Sequence, residues 1–139
     1  MTRVPELLAA GVAVAFGHDC VMDPWYPMGS GDMLEVAHMG LHVAQMTGQD
    51  AMRACFDAVT TAPAGILGLD GYGIAVGCKA DLVLLQARDT VEAIRLRATR
   101  LAVIRGGQVI ARTPAATATL SLVDRPSEVS WMERRQPAN

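Results

Sequence analysis

A continuous apolar run, VAVAF, occupies residues Val12 to Phe16 and lies between Gly11 and Gly17. A short run with β-branched residues and glycine at both ends is typical of a buried strand of a parallel sheet. A carboxylate just after such a strand stands where α/β barrels place their chemistry. Asp19 follows the run at this point and is therefore the first candidate for a catalytic residue.

Several later segments have the period of a helix. Residues 3–10 predict a short helix that Gly11 ends, and residues 32–47 predict a long one with Ser30 or Asp32 as its N-cap and Gly48 at its close. The long helix has little polar face, so we expect it to be largely buried. Further helical segments are predicted at residues 50–60, with Asp50 as a candidate cap, and at residues 64–69.

Beyond residue 70 the pattern changes to short strands separated by turns. Gly106-Gly107 stands between two apolar runs and predicts a hairpin of residues 101–105 and 108–112. Asp81 precedes a strand at residues 82–85 and should bond loop amides. The other predicted features are a helix at residues 90–98 capped by Asp89 or Thr90, a strand within residues 116–123, and a poorly ordered tail from residue 124.

Composition narrows the function classes. The chain has 139 residues, whereas a complete (β/α)₈ barrel needs about 250. Its 12 basic and 14 acidic residues give a net charge of −2, which favours neither nucleic acid nor a membrane surface as a partner. No apolar window approaches the ~18 residues of a transmembrane helix. Three scattered cysteines form no disulfide or zinc pattern, so a cytoplasmic location is expected.

Several motifs together resemble the bacterial cytosine deaminase family of the amidohydrolase superfamily. They are FGHD at residues 16–19, DPWYP at 23–27, HMGLHV at 38–43, YGI at 72–74, the pattern GxxxGxxADLVLL from residue 73 and RGGQVI at 105–110. The resemblance runs from about residue 4 to 111 and covers the C-terminal part of such an enzyme. It implies an α/β fold in which residues 1–69 form the last barrel strand and following helices, residues 70–123 a segment of an accessory β-sandwich, and residues 124–139 a tail.

The resemblance gives Asp19 its role. In this family the equivalent carboxylate binds one divalent metal ion, Fe²⁺ or Zn²⁺, and takes a proton from the water that attacks the ring. A divalent ion lowers the pKa of its water towards ~7, so a neighbouring carboxylate can accept that proton. Deamination of a cytosine-like ring to the oxo product and ammonia is the implied reaction.

Two further residues are implied in substrate binding. Cys20 stands where these enzymes commonly have a second Asp, and a smaller, neutral wall would tolerate a substituent at pyrimidine carbon 5. A neutral substitution is the alternative, and a nucleophilic role is disfavoured. Trp25 falls where the family places an aromatic against the substrate, with loop packing as the alternative. Asp23 and Pro24 are expected to shape the loop.

We expect structural roles, not metal binding, for the three histidines. His18 is more simply a residue that supports the loop than a metal ligand. His38 and His42 share one helix face, which suits metal binding, but on a buried helix we expect structural histidines with satisfied hydrogen bonds. The chain has no other histidine. The His-x-His pair, further His ligands and Glu acid/base of the family are therefore missing, and one carboxylate cannot hold a catalytic metal alone.

We therefore expect a C-terminal segment of a cytosine-deaminase-like hydrolase, inactive by itself, that acts on cytosine or a 5-substituted cytosine with the rest of the barrel. The alternatives are an amidohydrolase acting on another heterocycle such as isocytosine, a non-catalytic barrel-completing partner, and a nonfunctional gene fragment. The expected partners are a small pyrimidine, the missing N-terminal part of the barrel and, for a full-length enzyme, a second copy in a homo-oligomer.

Overall fold

The structure is a computed structural model that describes residues 2–129. Four helices come first along the chain, and strands with one further helix between the first two of them follow; this mixture confirms the α/β class. The helices are α1 (Val4–Ala9), α2 (Met33–Val43), α3 (Gln49–Asp57), α4 (Thr61–Ile66) and α5 (Thr90–Leu96). The strands are β1 (Leu82–Leu85), β2 (Arg100–Arg105), β3 (Gln108–Arg112), β4 (Ala118–Thr119) and β5 (Glu128–Val129).

The main core lies where α2, α3 and α5 pack against one another. Each helix turns small or branched apolar residues inward, and Ala37, Cys55 and Ile94 are fully buried at the centre. The remaining members of this core are Val4, Leu34, Leu41, Met46, Ala93 and Ala98. Because α5 belongs to the second half of the chain, this core joins the helices of the first half to the strands that follow.

The predicted strand at Val12–Phe16 is not formed within residues 2–129. The segment is extended but has no ladder partner among residues 2–129, and Val12 is 47% exposed. One backbone bond ties its end to the helices, from the Phe16 N–H to the Ala58 carbonyl at 2.8 Å. A parallel strand requires neighbours to accept and donate its hydrogen bonds, and the described residues supply none for this segment.

The α2 helix begins as predicted and ends earlier. The Asp32 side chain caps it by accepting a hydrogen bond from the Leu34 N–H at 2.7 Å. The helix ends at Val43, and Gln45 takes a left-handed φ of 54° that reverses the chain. Gly48 is therefore not the end of α2 but the N-cap position of α3. The prediction that α2 is largely buried is also wrong, since Met39 and Val43 are about half exposed.

Among the other helices only α5 has a side-chain cap in the described structure, and α1, α3 and α4 have none. Asp89 caps α5 by accepting from the Glu92 N–H at 2.8 Å, as predicted. Asp50 does not cap α3; it lies in the first turn of the helix and pairs with Arg53 on the surface. The φ/ψ of Gly48 is extended and its missing side chain leaves that helix without a side-chain cap.

The strands form one antiparallel sheet of order β1-β2-β3 and a separate β4-β5 pair. The predicted hairpin is confirmed, with Arg105 opposite Gln108 and both turn glycines at positive φ. The predicted role of Asp81 is also confirmed, because its carboxylate accepts from the Gly106 N–H at 2.6 Å across the sheet. The β4 strand lies within the predicted residues 116–123.

The tail prediction is corrected in part. Residues 128 and 129 form β5, which pairs with Ala118 and Thr119. A strand of two residues has almost no local signal and depends on this distant pairing. The rest of the predicted tail, residues 130–139, lies outside the described residues. Among residues 2–129 no helix has the length and apolar character needed to cross a membrane.

Candidate active site

An open apolar cavity lies between the extended segment and the outward face of α2. Its volume is about 620 Å³. The end of the extended segment forms one wall, with Phe16, Gly17, His18, Asp19 and Cys20. Residues of α1, α2 and the adjoining loops complete it: Thr2, Val4, Ala15, Tyr26, Glu35, Val36, Met39, Gly40, Val43 and Ala44. Asp19 and Cys20 thus share one cavity, as their positions in the sequence predict.

Contacts between the first and the last residues of the loop after the extended segment hold it closed. His18 Nε2 accepts a hydrogen bond from the Gly31 N–H at 3.1 Å. The backbone at Gly29 passes so close that an added Cβ would lie 2.1 Å from the Cys20 carbonyl oxygen and 2.7 Å from His18 Cε1. His18 therefore supports the loop, as expected, and Gly29 is required for the close approach.

The Cys20 thiol lies between two carboxylates. Its Sγ is 3.9 Å from Asp19 Oδ2. A hydrogen bond with Asp23, partial burial and the negative charges of Asp23 and Asp19 together raise the pKa of Cys20 to about 11. The thiol is therefore protonated at neutral pH and poorly nucleophilic, which agrees with the expectation that Cys20 is not a nucleophile.

Asp23 shapes the loop, as predicted. Its Oδ1 accepts hydrogen bonds from the Trp25 and Tyr26 backbone N–H groups, each at 2.9 Å. The Tyr26 bond first, and then the thiol of Cys20, hold the pKa of Asp23 below its usual value. The turn leaves the Trp25 side chain 89% exposed and outside the cavity wall. The alternative that Trp25 packs into the loop is therefore wrong.

The donor set around Asp19 is incomplete for a metal ion. Asp19 is exposed, and the Cys20 thiol is its sole side-chain bonding partner among residues 2–129, so its oxygens are available to a ligand. Within the same residues no group of three His, Cys, Asp or Glu side chains could hold a metal ion. Asp19 can supply one ligand, whereas a catalytic metal site needs about three from protein.

His38 and His42 lie on α2 away from this donor set. Their ring centroids are 4.7 Å apart and the ring planes meet at 74°. His42 is exposed and His38 half-buried, which contradicts the premise that both are buried. Burial and the nearby charges of His42 and Arg97 lower the pKa of His38.

Two cavity residues have no signal in the sequence that marks them. Tyr26 lies in the wall because the Asp23 turn directs it there. Glu35 of α2 also lines the cavity and accepts a hydrogen bond from the Ser30 hydroxyl. Its position three residues after the Asp32 cap predicts a capping box rather than a place in a cavity wall.

The known proteins that resemble this chain in sequence are amidohydrolases and deaminases. The sequence profile of the amidohydrolase family matches residues 1–111. N-isopropylammelide isopropyl amidohydrolase of Pseudomonas sp. (strain ADP) is 34% identical over 110 residues, which are 78% of this chain and 27% of that protein. Pterin deaminase of Rhizobium rhizogenes is 38% identical over 114 residues, 81% of this chain and 26% of that protein.

Solved structures agree with the sequence relatives. The 5-methylcytosine deaminase from Klebsiella pneumoniae, crystallised with 5-fluorocytosine, superposes with a TM-score of 0.79 at 42% identity, over 84% of this chain and 28% of that one. N-isopropylammelide isopropylaminohydrolase from Burkholderia multivorans gives a TM-score of 0.75 at 38% identity, over 79% of this chain and 28% of that one. The chain spans about a quarter of the length of these relatives, and it belongs to the amidohydrolase family.

Proposed function

We propose that this chain carries the Asp19 part of a hydrolytic deaminase that converts an amino-substituted nitrogen heterocycle to its oxo product and ammonia. The observation that carries the proposal is the exposed Asp19 carboxylate at the end of the extended segment, in the wall of a cavity and free of backbone hydrogen bonds within residues 2–129. Relatives named as deaminases of pterin and of 5-methylcytosine support the reaction class.

The role proposed for Asp19 is that of one metal ligand and a proton acceptor. A divalent ion, Fe²⁺ or Zn²⁺, supplies the Lewis acidity that makes water nucleophilic at neutral pH. Asp19 holds the proton released when water adds to the ring carbon that bears the amino group, and the amino nitrogen leaves as ammonia after protonation. The remaining ligands come from the part of the enzyme outside this chain.

Cys20 is proposed to set substrate preference. A protonated thiol carries no charge, unlike the second Asp that the resemblance places at this position. A carboxylate in the same wall would add charge and hydrogen-bond acceptors beside the ring, whereas the thiol leaves room for an apolar substituent. A cytosine with a methyl group at carbon 5 is therefore the proposed substrate. Trp25, whose side chain is 89% exposed, is proposed to close over the ring, because an aromatic side chain can stack on a flat heterocycle.

The arrangement of the whole enzyme is part of the proposal. Residues 1–69 would complete a (β/α)₈ barrel in which Val12–Phe16 pairs with neighbouring strands, and residues 70–123 would belong to a β-sandwich beside it. The extended segment has no strand beside it within residues 2–129, which supports this assignment because a strand of a parallel sheet hydrogen-bonds to its neighbours. The assembled enzyme is proposed to be a cytoplasmic homo-oligomer.

Complementation of a truncated relative by this chain tests the proposed function. The chain is mixed with the 5-methylcytosine deaminase from Klebsiella pneumoniae from which the matching segment has been removed, and ammonia release from 5-methylcytosine and cytosine is measured with Fe²⁺ or Zn²⁺ present. We expect activity with the mixture and none with either part alone. Asp19→Asn should lower the rate by about a thousandfold or more, since a metal ligand and a proton acceptor are lost together.

Two outcomes would overturn the proposal. Activity of the mixture that survives Asp19→Asn would remove Asp19 from the chemistry. A mixture that assembles, as judged by co-elution, but releases no ammonia would favour the non-catalytic barrel-completing role. Asp57→Asn is the matched control, because Asp57 is an exposed carboxylate at the end of α3 and should leave the rate unchanged.

A further inference from the structure

The two histidines of α2 are placed as a pair by the helix itself. His38 and His42 are four residues apart within the regular part of α2, so they lie one above the other on the same side of the helix. His42 is exposed, whereas His38 is half-buried and its ring lies within hydrogen-bond reach of the Ile94 backbone, which an ion would have to replace. Neither residue has a role in the site proposed above.

The separation of the rings matches that of two imidazoles on one ion. With metal–nitrogen distances of about 2.0–2.1 Å and adjacent coordination positions, two ring centroids lie about 4.5–5 Å apart. The observed distance is 4.7 Å, with the planes at 74°. A bound imidazole turns freely about its metal–nitrogen bond, so this interplanar angle is compatible with chelation. Side-chain rotation is sufficient to aim the nitrogens, and α2 need not move.

The two imidazole nitrogens determine which metal ions the pair can bind. Two imidazole nitrogens with no third His, Cys, Asp or Glu nearby, as found within residues 2–129, leave the other coordination positions to water. Ions that accept tetragonal or octahedral nitrogen and water ligands suit such a pair, and affinity rises along the series to Ni²⁺ and Cu²⁺. Arg97 lies close enough to repel a cation from His38, so the affinity should be moderate.

We propose that His38 and His42 form a surface chelating site for a late first-row divalent ion, with Ni²⁺ and Cu²⁺ bound more tightly than Zn²⁺. The site does not depend on the proposed deaminase function. It lies on α2, whereas Asp19 lies at the end of the extended segment, and it can be tested on the chain as it exists, without substrate or complementing protein.

The test uses Ni²⁺ and the proton resonances of the histidine rings. Ni²⁺ is paramagnetic, and we expect substoichiometric amounts at pH 8 to broaden the ring signals of His38 and His42 together, while the signals of His18 remain sharp. Titration should saturate at one ion per chain. Mg²⁺ at the same concentration should not reverse the broadening, because Mg²⁺ prefers oxygen ligands.

A composition-matched variant provides the control. Exchanging two neighbours, His42→Val with Val43→His, keeps the number of histidines and moves one ring off the shared face. Both positions are exposed, and circular dichroism should show unchanged helix content. Loss of the chelate should weaken Ni²⁺ binding at least tenfold. Equal binding by the exchanged variant, or broadening that includes His18 to the same degree, would overturn the proposal.

Discussion

At the scale of single residues, the position of Asp19 depends on a glycine ten residues further along the chain. Gly29 lies against the Cys20 carbonyl, and His18 accepts a hydrogen bond from Gly31, so both ends of the loop are held by the pair of residues that flank Asp19. The motif around Asp19 is visible in the sequence. The close approach of Gly29 is not, because it depends on how a loop of about ten residues closes.

Replacing Gly29 with alanine should therefore disturb the site. The new Cβ would lie 2.1 Å from the Cys20 carbonyl oxygen, a backbone atom that can retreat only if the loop opens. We expect Gly29→Ala to lower the free energy of unfolding by about 1–3 kcal/mol, the usual cost of overpacking. Urea denaturation followed by circular dichroism measures the change.

Gly17→Ala is the matched control for this prediction. Gly17 lies two residues before Asp19, and an added Cβ there would meet no atom within 4 Å. Its urea midpoint should stay close to that of the wild type. If both alanine variants lose the same stability, the close approach at Gly29 is not what fixes the loop.

At the scale of elements, Asp32 links α2 to the sheet. Its carboxylate caps the helix at the Leu34 N–H and also binds the Arg100 guanidinium, with Arg100 Nη1 2.7 Å from Asp32 Oδ2. The hydrogen bond to Arg100 first, and then the helix N–H, outweigh partial burial and lower the pKa of Asp32. One side chain thus joins the loop that follows Asp19 to the start of β2.

Removing the Asp32 side chain should lower the free energy of unfolding by more than removing a surface ion pair does. Loss of an N-cap typically lowers the free energy of unfolding by ~1 kcal/mol. The pair with Arg100 is about one-third exposed, so solvent screening limits its addition to less than about 1 kcal/mol. Asp32→Ala should therefore lose about 1–2 kcal/mol in urea denaturation. Asp50→Ala, whose pair with Arg53 is exposed, should lose little; an equal loss would contradict the linking role.

The α5 helix contains the most strongly shifted carboxyl group of the described structure. Glu92 is 5% exposed and accepts hydrogen bonds from the Arg88 backbone N–H at 2.9 Å and from the Arg88 side chain. These bonds, chiefly that of the guanidinium, lower the pKa of Glu92 from 4.5 to about 2. A lowered folded-state pKa stabilises the protein above the unfolded value.

Stability should therefore fall with pH in a defined window. The contribution of Glu92 is fully present above about pH 4.5 and is lost as pH falls towards 2, because the unfolded chain takes up the proton first. Thermal melts between pH 6 and pH 2.5 should show a steeper decline for the wild type than for Glu92→Gln. Glu6→Gln, which alters an exposed pair with Arg3, should keep the wild-type slope. Parallel profiles for all three proteins would remove Glu92 from the acid response.

Sequence reasoning succeeded for elements with local signals and failed for those that need distant partners. The Asp32 and Asp89 caps and the Gly106-Gly107 turn mark their elements from within. The Val12–Phe16 run has the composition of a strand, but pairing requires neighbours that residues 2–129 do not supply. For the site, the sequence motif marks Asp19 and Cys20, whereas Tyr26 reaches the cavity through the Asp23 turn and Glu35 through its place on α2.

At the scale of the whole molecule, the cavity at Asp19 is also an apolar surface open to a partner. Met39 and Val43 are 48% and 47% exposed on its rim. Exposed apolar side chains beside an extended segment that has no strand partner within residues 2–129 have the features of an interface. Under the proposed function the occupant is the rest of an amidohydrolase barrel, so a charge on this rim should prevent assembly while sparing the isolated chain.

The variant Met39→Glu tests whether the rim of the cavity is the surface through which the chain assembles with its partner. Because Met39 is about half exposed, the variant should keep the free energy of unfolding of the wild type, measured by urea denaturation, to within about 0.5 kcal/mol. Burying the new carboxylate in an apolar interface without a partner is costly, so binding to the complementing Klebsiella pneumoniae fragment, measured by titration calorimetry, should weaken at least tenfold. Leu122→Glu is the matched control, since Leu122 is 64% exposed and lies beyond the residues 1–111 that match the family. If the two variants bind alike, the rim of the cavity is not the surface through which this chain completes the enzyme.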